Sequence, residues 1–228
     1  MNFLSHFYFD KYSKDSYVVL GVVLPDLVKN AQKDGNLFPL KSQELFQADP
    51  LQNSILRGWE RHILADNIFH SSDFFKLQTG SLKQLLLPVL STSPVKPFFL
   101  AHIGLELILD HLLYINRIVD VNKFYDHLAQ TDKRVIGTFL ENCLIGDSEL
   151  FFRFFDEFLS SRYLLSYNKI ENITYALNRI CMRLWNNPFN DYQLQQLTER
   201  LAIFKSGIEN NYLDIFNEME FTLNTNGV

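Results

Sequence analysis

Six histidines set among Leu, Ile and Phe are the residues whose type and spacing could do chemistry here. In the segment His62-Ile-Leu-Ala-Asp66-Asn-Ile-Phe-His70, each four-residue step turns about 400° on an α-helix. His62, Asp66 and His70 therefore share a helix face. The segment His102-Ile-Gly-Leu-Glu106-Leu-Ile-Leu-Asp110 repeats the same step, and His111 follows directly. Imidazole and carboxylate groups at helical spacing are the usual way an all-α protein builds a metal site. Polar groups buried among apolar neighbours need partners, and two such stripes facing each other would find one in a shared cation. His6, in the apolar opening Phe3 to Phe9, and Asp26, directly after Pro25, are the candidates to join them. The bland alternative makes each stripe the wet edge of an amphipathic helix, its acids paired with Arg57, Arg61 or Arg117. His127 has no partner at helical spacing and reads as a surface residue.

Nitrogen and carboxylate oxygen without thiolate suit Mn²⁺, Fe²⁺ or Zn²⁺. The only cysteines, Cys143 and Cys181, are too isolated for a disulfide framework or a cysteine metal site. A divalent ion lowers the pKa of a bound water and neutralises charge on a phosphoryl oxygen, so metal-assisted phosphoester hydrolysis is the reaction class implied. No Gly-rich phosphate loop, no Gly-x-Ser-x-Gly elbow and no credible Cys/His nucleophile competes with it.

The elements that must carry these residues read as helices. Apolar residues recur at spacings of three and four, as in Leu56, Trp59, Ile63 and Ile68, or Phe98, Ile103, Leu107 and Leu113. Turn signals separate such stretches at Asp34-Gly35-Asn36, Pro50, Thr79-Gly80, Ser91 to Pro97, Gly146-Asp147 and Asn186-Asn187-Pro188. Roughly seven or eight helices and no hairpin follow. The expected fold is all-α, a single-domain multi-helix bundle over residues 1–228, with residues 223–228 frayed. The aromatic run from Glu149 to Met182 reads as core packing.

With 228 residues, 47% hydrophobic and a net charge of −5, the chain has material for a large core, and its charge argues against a general nucleic-acid binder. The opening residues lack a basic n-region, and the apolar runs are short and charge-interrupted. Neither export nor membrane insertion is expected, and the cytoplasm is the expected compartment.

Several of these residues stand in an order that resembles a known family. Met1-Asn2-Phe3-Leu4-Ser5-His6, the Gly21 to Asp26 element, Arg61-His62-x-x-x-Asp66 and Leu109-Asp110-His111-x-Leu113 are similar, in sequence order, to the acyl carrier protein phosphodiesterases. The likeness extends to Arg162-Tyr163 and the stretch from Ile170 to Arg179. These are all-α hydrolases distantly related to the HD-domain metal-dependent phosphohydrolases. The resemblance implies an HD-domain-like bundle and Mn²⁺-dependent hydrolysis of the phosphodiester that joins 4′-phosphopantetheine to a serine of holo-acyl carrier protein. By matched position, His6, Asp26, His62, Asp66, Asp110 and His111 would form or border the metal and phosphate site, with Arg61 stabilising phosphoryl charge. The chain departs from the family where Ile63 follows His62 and where Phe69-His70 replaces an expected Thr-Asp. His70 could then replace an aspartate as ligand, or the change could alter metal or substrate. His102 is not a family hallmark. Zinc-dependent phospholipase C-like proteins share the same loose pattern, which leaves another phosphoester as the alternative substrate. A non-catalytic helical binding protein with a decayed site is the alternative from another class. An acidic carrier protein would need a basic surface, for which Lys29, Lys33, Arg57, Arg61, Arg179 and Arg183 are the candidates.

Overall fold

Short polar residues fix where the helices start. In the computed structural model, which describes residues 1–32, 35–144 and 148–225, the Asp15 carboxylate accepts from the Tyr17 and Val18 amides. Ser72 accepts from the Phe75 amide, Asp120 from Asn122 and Lys123, and Asp132 from Arg134. Asn190 and Gln193 form a reciprocal capping box. Each cap satisfies amide donors that the first turn of a helix leaves without an internal partner.

The resulting α-helices are α1 (Phe3–Tyr8), α2 (Ser16–Gly21), α3 (Leu24–Ala31), α4 (Glu44–Gln47), α5 (Pro50–Ser71), α6 (Asp73–Leu86) and α7 (Pro97–Ile115). They are followed by α8 (Val121–Ala129), α9 (Lys133–Asn142), α10 (Glu149–Ser161), α11 (Ile170–Cys181), α12 (Asp191–Ile208) and α13 (Leu213–Thr225). Three short 3₁₀ turns lie between them, and the described residues contain no strand. The protein is an all-α multi-helix bundle. Among the described residues the thirteen α-helices exceed the seven or eight expected, in part because α1, α2 and α4 are four to six residues long and fall below the window in which helical periodicity can be read. Thr79 and Gly80, expected in a turn, lie inside α6. The tail also differs from expectation: Leu223 is buried within α13, while residues 226–228 lie outside the described residues.

The chain forms two compact units. One comprises Met1–Ser5, Asn67–Ile118 and Ser166–Glu220, and in it α7 packs against α6, α11 and α12. Gly104 marks how closely these helices fit, since a Cβ there would meet Leu82, Leu177 and Leu201 side chains at 3.2–3.8 Å. The other comprises His6–Asp66, Val119–Leu165 and the described part of Phe221–Val228. In it α2 packs on α8 and α3, and α10 packs on α3 and α8. Phe151, Phe155 and Phe158 line the buried face of α10, with the Phe151 and Phe155 rings stacked at 5.6 Å.

In this second unit α2 and α5 cross at two glycines. A Cβ on Gly21 would lie 2.3 Å from the Ile55 carbonyl oxygen, and one on Gly58 would lie 2.3 Å from the Val18 carbonyl oxygen. Only hydrogen fits at either position.

One helix corrects the reading of the apolar runs. Among the described residues, Pro97–Ile115 is long and apolar enough, by length and composition, to cross a membrane, with a mean hydropathy of 1.6. Two-thirds of it is buried by the rest of the chain, and Glu106 and Asp110 sit within it, as in the core helix of a folded domain.

Candidate metal centres

The second unit gathers His6 from α1, Asp26 from α3 and both His62 and Asp66 from α5. Pro25 occupies the first turn of α3, where its missing amide costs nothing, and Asp26 follows in that turn, where the helix dipole favours a carboxylate. The Gly21 and Gly58 contact brings α5 against the end of α2, and His62 Nδ1 lies 2.9 Å from the Val22 carbonyl oxygen. A carbonyl can only accept, so Nδ1 carries a proton, and the neutral ring then presents its lone pair at Nε2. That Nε2 is 3.7 Å from Asp66 Oδ2, while His6 Nε2 is 3.3 Å from Asp66 Oδ1 and 4.0 Å from Asp26 Oδ2. The two imidazoles are stacked, with centroids 3.8 Å apart. His6 is 1% exposed, and neither of its ring nitrogens makes a hydrogen bond of acceptable geometry.

Burial, and then the neighbouring His62, lower the His6 pKa to about 3. Burial alone would raise the Asp66 pKa, but the contact with His6 outweighs it and holds the carboxyl below the ordinary range. Neutral imidazole beside ionised carboxylate is the protonation state a divalent ion requires of its ligands. Asp66 and Asp26, each about a quarter to a third exposed, form the solvent-facing side.

The first unit gathers a different triad. His70 Nε2 lies 3.2 Å from His102 Nε2 and 3.2 Å from Glu106 Oε1, and His102 Nε2 lies 2.9 Å from the same oxygen. The Met1 main-chain nitrogen is 3.1 Å from that oxygen as well. Burial would raise the Glu106 pKa, but the charge at Met1 and the hydrogen bonds with His102 and His70 keep it well below the ordinary range. Rings of Phe75, Phe69 and Phe98 stand around the two imidazoles.

The expected ligand set is thus divided, and part of it is corrected. Among the described residues the ligand atoms fall into two triads, His6 with His62 and Asp66, and His70 with His102 and Glu106. His62 and His70 are eight residues apart, about 12 Å along a helix, too far for one ion to bridge. Asp110 joins neither triad. It accepts hydrogen bonds from the Leu4 amide (3.0 Å), the Ser5 amide (2.8 Å) and the Ser5 hydroxyl (2.6 Å), and so caps the first turn of α1. Burial pushes its pKa up to about 7, against the pull of those three donors. His111 also lies outside both triads, its Nδ1 donating to the Tyr167 carbonyl oxygen at 2.6 Å. His127 is buried and hydrogen-bonded to Ser16 Oγ at 3.0 Å, not a surface residue.

Arg61 lies beside the first triad, lining with His6 and His62 a recess too narrow for water. Its Nε is held by Asp10 at 3.1 Å. Arg61, Asp10 and Phe9 also line a neighbouring cleft of about 650 Å³ that contains Arg57, Asp15 and Glu60. Arg57 is itself 3.6 Å from Asp15, and three carboxylates outnumber the two arginines in this cleft. Lys33 of the expected basic patch lies outside the described residues.

Sequence reasoning missed the main-chain groups that orient the rings, the carbonyls of Val22 and Tyr167. Neither leaves a signal in residue types. The chain matches no family model, no curated protein and no solved structure.

Proposed function

We propose that the chain is a metal-dependent phosphodiesterase working at His6, His62, Asp66 and Asp26. The observation that carries this reading is a pair of buried, stacked imidazoles against an ionised carboxylate, with His6 held neutral and its ring nitrogens lacking any hydrogen bond of acceptable geometry. Two carboxylates beside two imidazoles favour a hard-to-borderline cation, Mn²⁺ first, then Fe²⁺ or Zn²⁺. When bound there, such an ion supplies an acidified water and a counter-charge for the phosphoryl group.

The chain's own residues do the rest. The Val22 carbonyl holds the His62 proton on Nδ1 and aims Nε2 at Asp66. Asp66 and Asp26 keep the open side of the site anionic, and Asp10 holds the Arg61 guanidinium, which in this reading would stabilise charge on a phosphoryl oxygen. The substrate of this reading is holo-acyl carrier protein in the cytoplasm, which rests on the resemblance of the His6, Gly21 to Asp26 and His62 to Asp66 elements. The cleft beside Arg61 carries three carboxylates against two arginines and gives no basic docking surface at that point, so a smaller phosphoester is the second reading.

The test is intact-mass analysis of holo-acyl carrier protein incubated with the protein and Mn²⁺, beside a chelated control. Metal-dependent loss of 4′-phosphopantetheine, abolished in His62→Ala, is the expected result. No loss from a sample carrying stoichiometric metal refutes this substrate, and no metal uptake refutes the hydrolase.

A further inference from the structure

We propose that His70, His102 and Glu106 form a second and separate cation site, of the zinc type, that is independent of the phosphodiesterase reading. Three donor atoms, His70 Nε2, His102 Nε2 and Glu106 Oε1, stand at mutual separations of 3.2, 3.2 and 2.9 Å. Zinc bound tetrahedrally at about 2.0–2.1 Å sets its ligand atoms about 3.3–3.4 Å apart. The triangle is already close to one face of such a tetrahedron, and the fourth position is left for solvent because both imidazoles are about one-third exposed.

A single cation at the centre would take one lone pair from each of the three donor atoms at once. Protons serve the triangle differently: with both Nε2 atoms protonated, each donates to Glu106 Oε1 and the two nitrogens crowd one another at 3.2 Å. Two imidazoles with one carboxylate also match a catalytic zinc donor set, softer than the two-carboxylate site around His6. The spacing is held by the fold, since His102 and Glu106 are one turn apart on α7 and His70 sits at the end of α5, where the Ser72 cap turns the chain into α6.

The rival occupant is a proton network headed by the Met1 nitrogen, 3.1 Å from Glu106 Oε1. Native mass spectrometry of the full chain titrated with Zn²⁺ separates the two. The wild type is expected to hold one more zinc ion than His70→Ala/His102→Ala, and His62→Ala is expected to keep this ion. Substitution with Co²⁺ should give a tetrahedral visible spectrum that survives in His62→Ala and vanishes in the double variant. Glu106→Gln keeps the shape but removes the anionic ligand, and should weaken zinc binding at least about tenfold. Equal zinc uptake by the wild type and a double variant of unchanged helicity overturns the proposal, as does a wild type that takes up no zinc. If the double variant loses helicity, Glu106→Gln decides, and unchanged zinc affinity overturns the site. Loss of Mn²⁺-dependent activity in His62→Ala reads the other triad alone.

Discussion

Replacing Gly58 by Ala tests the geometry that places His62. The added Cβ would lie 2.3 Å from the Val18 carbonyl oxygen, 2.7 Å from Gly21 Cα and 2.8 Å from the Val22 nitrogen. Real Cβ atoms do not come nearer than 3.0 Å, so α2 and α5 must separate by at least 0.7 Å, and because every obstacle is main chain no rotamer change relieves it. Alanine gains about 1 kcal/mol of helix propensity over glycine, while overpacking costs about 1–3 kcal/mol and more where backbone must move. A net loss of about 1–2 kcal/mol is expected in urea unfolding. His62 lies one turn beyond Gly58, so the same shift lengthens the 2.9 Å contact between Nδ1 and the Val22 carbonyl. Loss of such an orienting partner typically weakens metal binding about 10- to 100-fold, which calorimetric titration with Mn²⁺ would read. Gly80 is the control: nothing lies within 4 Å of a Cβ there, so Gly80→Ala should stabilise by about 0.5–1 kcal/mol. A Gly58→Ala protein as stable as the wild type, with undiminished metal affinity, would refute the close crossing.

His62→Ala and Asp66→Ala should each abolish Mn²⁺ binding at the first triad while circular dichroism stays near the wild-type level; retained binding would remove these residues from the site. Asp110→Ala strands the Leu4 amide, the Ser5 amide and the Ser5 hydroxyl and should cost about 3 kcal/mol or more in chemical denaturation, with no change in zinc stoichiometry. In chelated protein, stability should fall as pH drops from about 6.5 to 4.5. Burial lowers the pKa of His6, His111 and His127, so in that window the unfolded chain binds more protons than the folded chain does. Asp110, whose pKa is raised, works in the opposite sense, so Asp110→Asn should steepen the acid loss. A flat stability profile in both proteins would contradict the lowered pKa of these histidines.

Much of the helical character could be read from residue spacing, and so could the pairs His62 with Asp66 and His102 with Glu106, because one turn of helix fixes their relation. His6 and Asp26 could be nominated from their surroundings but not placed, since their approach to Asp66 depends on tertiary packing. The stripes misled over longer stretches. Each four-residue step drifts by about 40° and rises about 6 Å, so the third member of a stripe has moved away from any ion the first could hold. His70 accordingly joins His102 and Glu106, and Asp110 turns to the amides of α1. Asp110 shows why composition alone could not settle the matter: a carboxylate among Leu and Ile needs partners, and main-chain amides serve as well as a cation.

The partner of His62 Nδ1 is a main-chain oxygen at the end of α2, where helix carbonyls lack a partner of their own. Every amino acid carries that oxygen, so sequence drift at position 22 leaves the tautomer of His62 untouched. Vulnerability passes to the path of the chain, and the path rests on Gly21 and Gly58. Two proteins could share this second-sphere contact with different residues at position 22, and a comparison by residue identity would not detect the inheritance. The two glycines, which touch no ligand atom, would carry its trace.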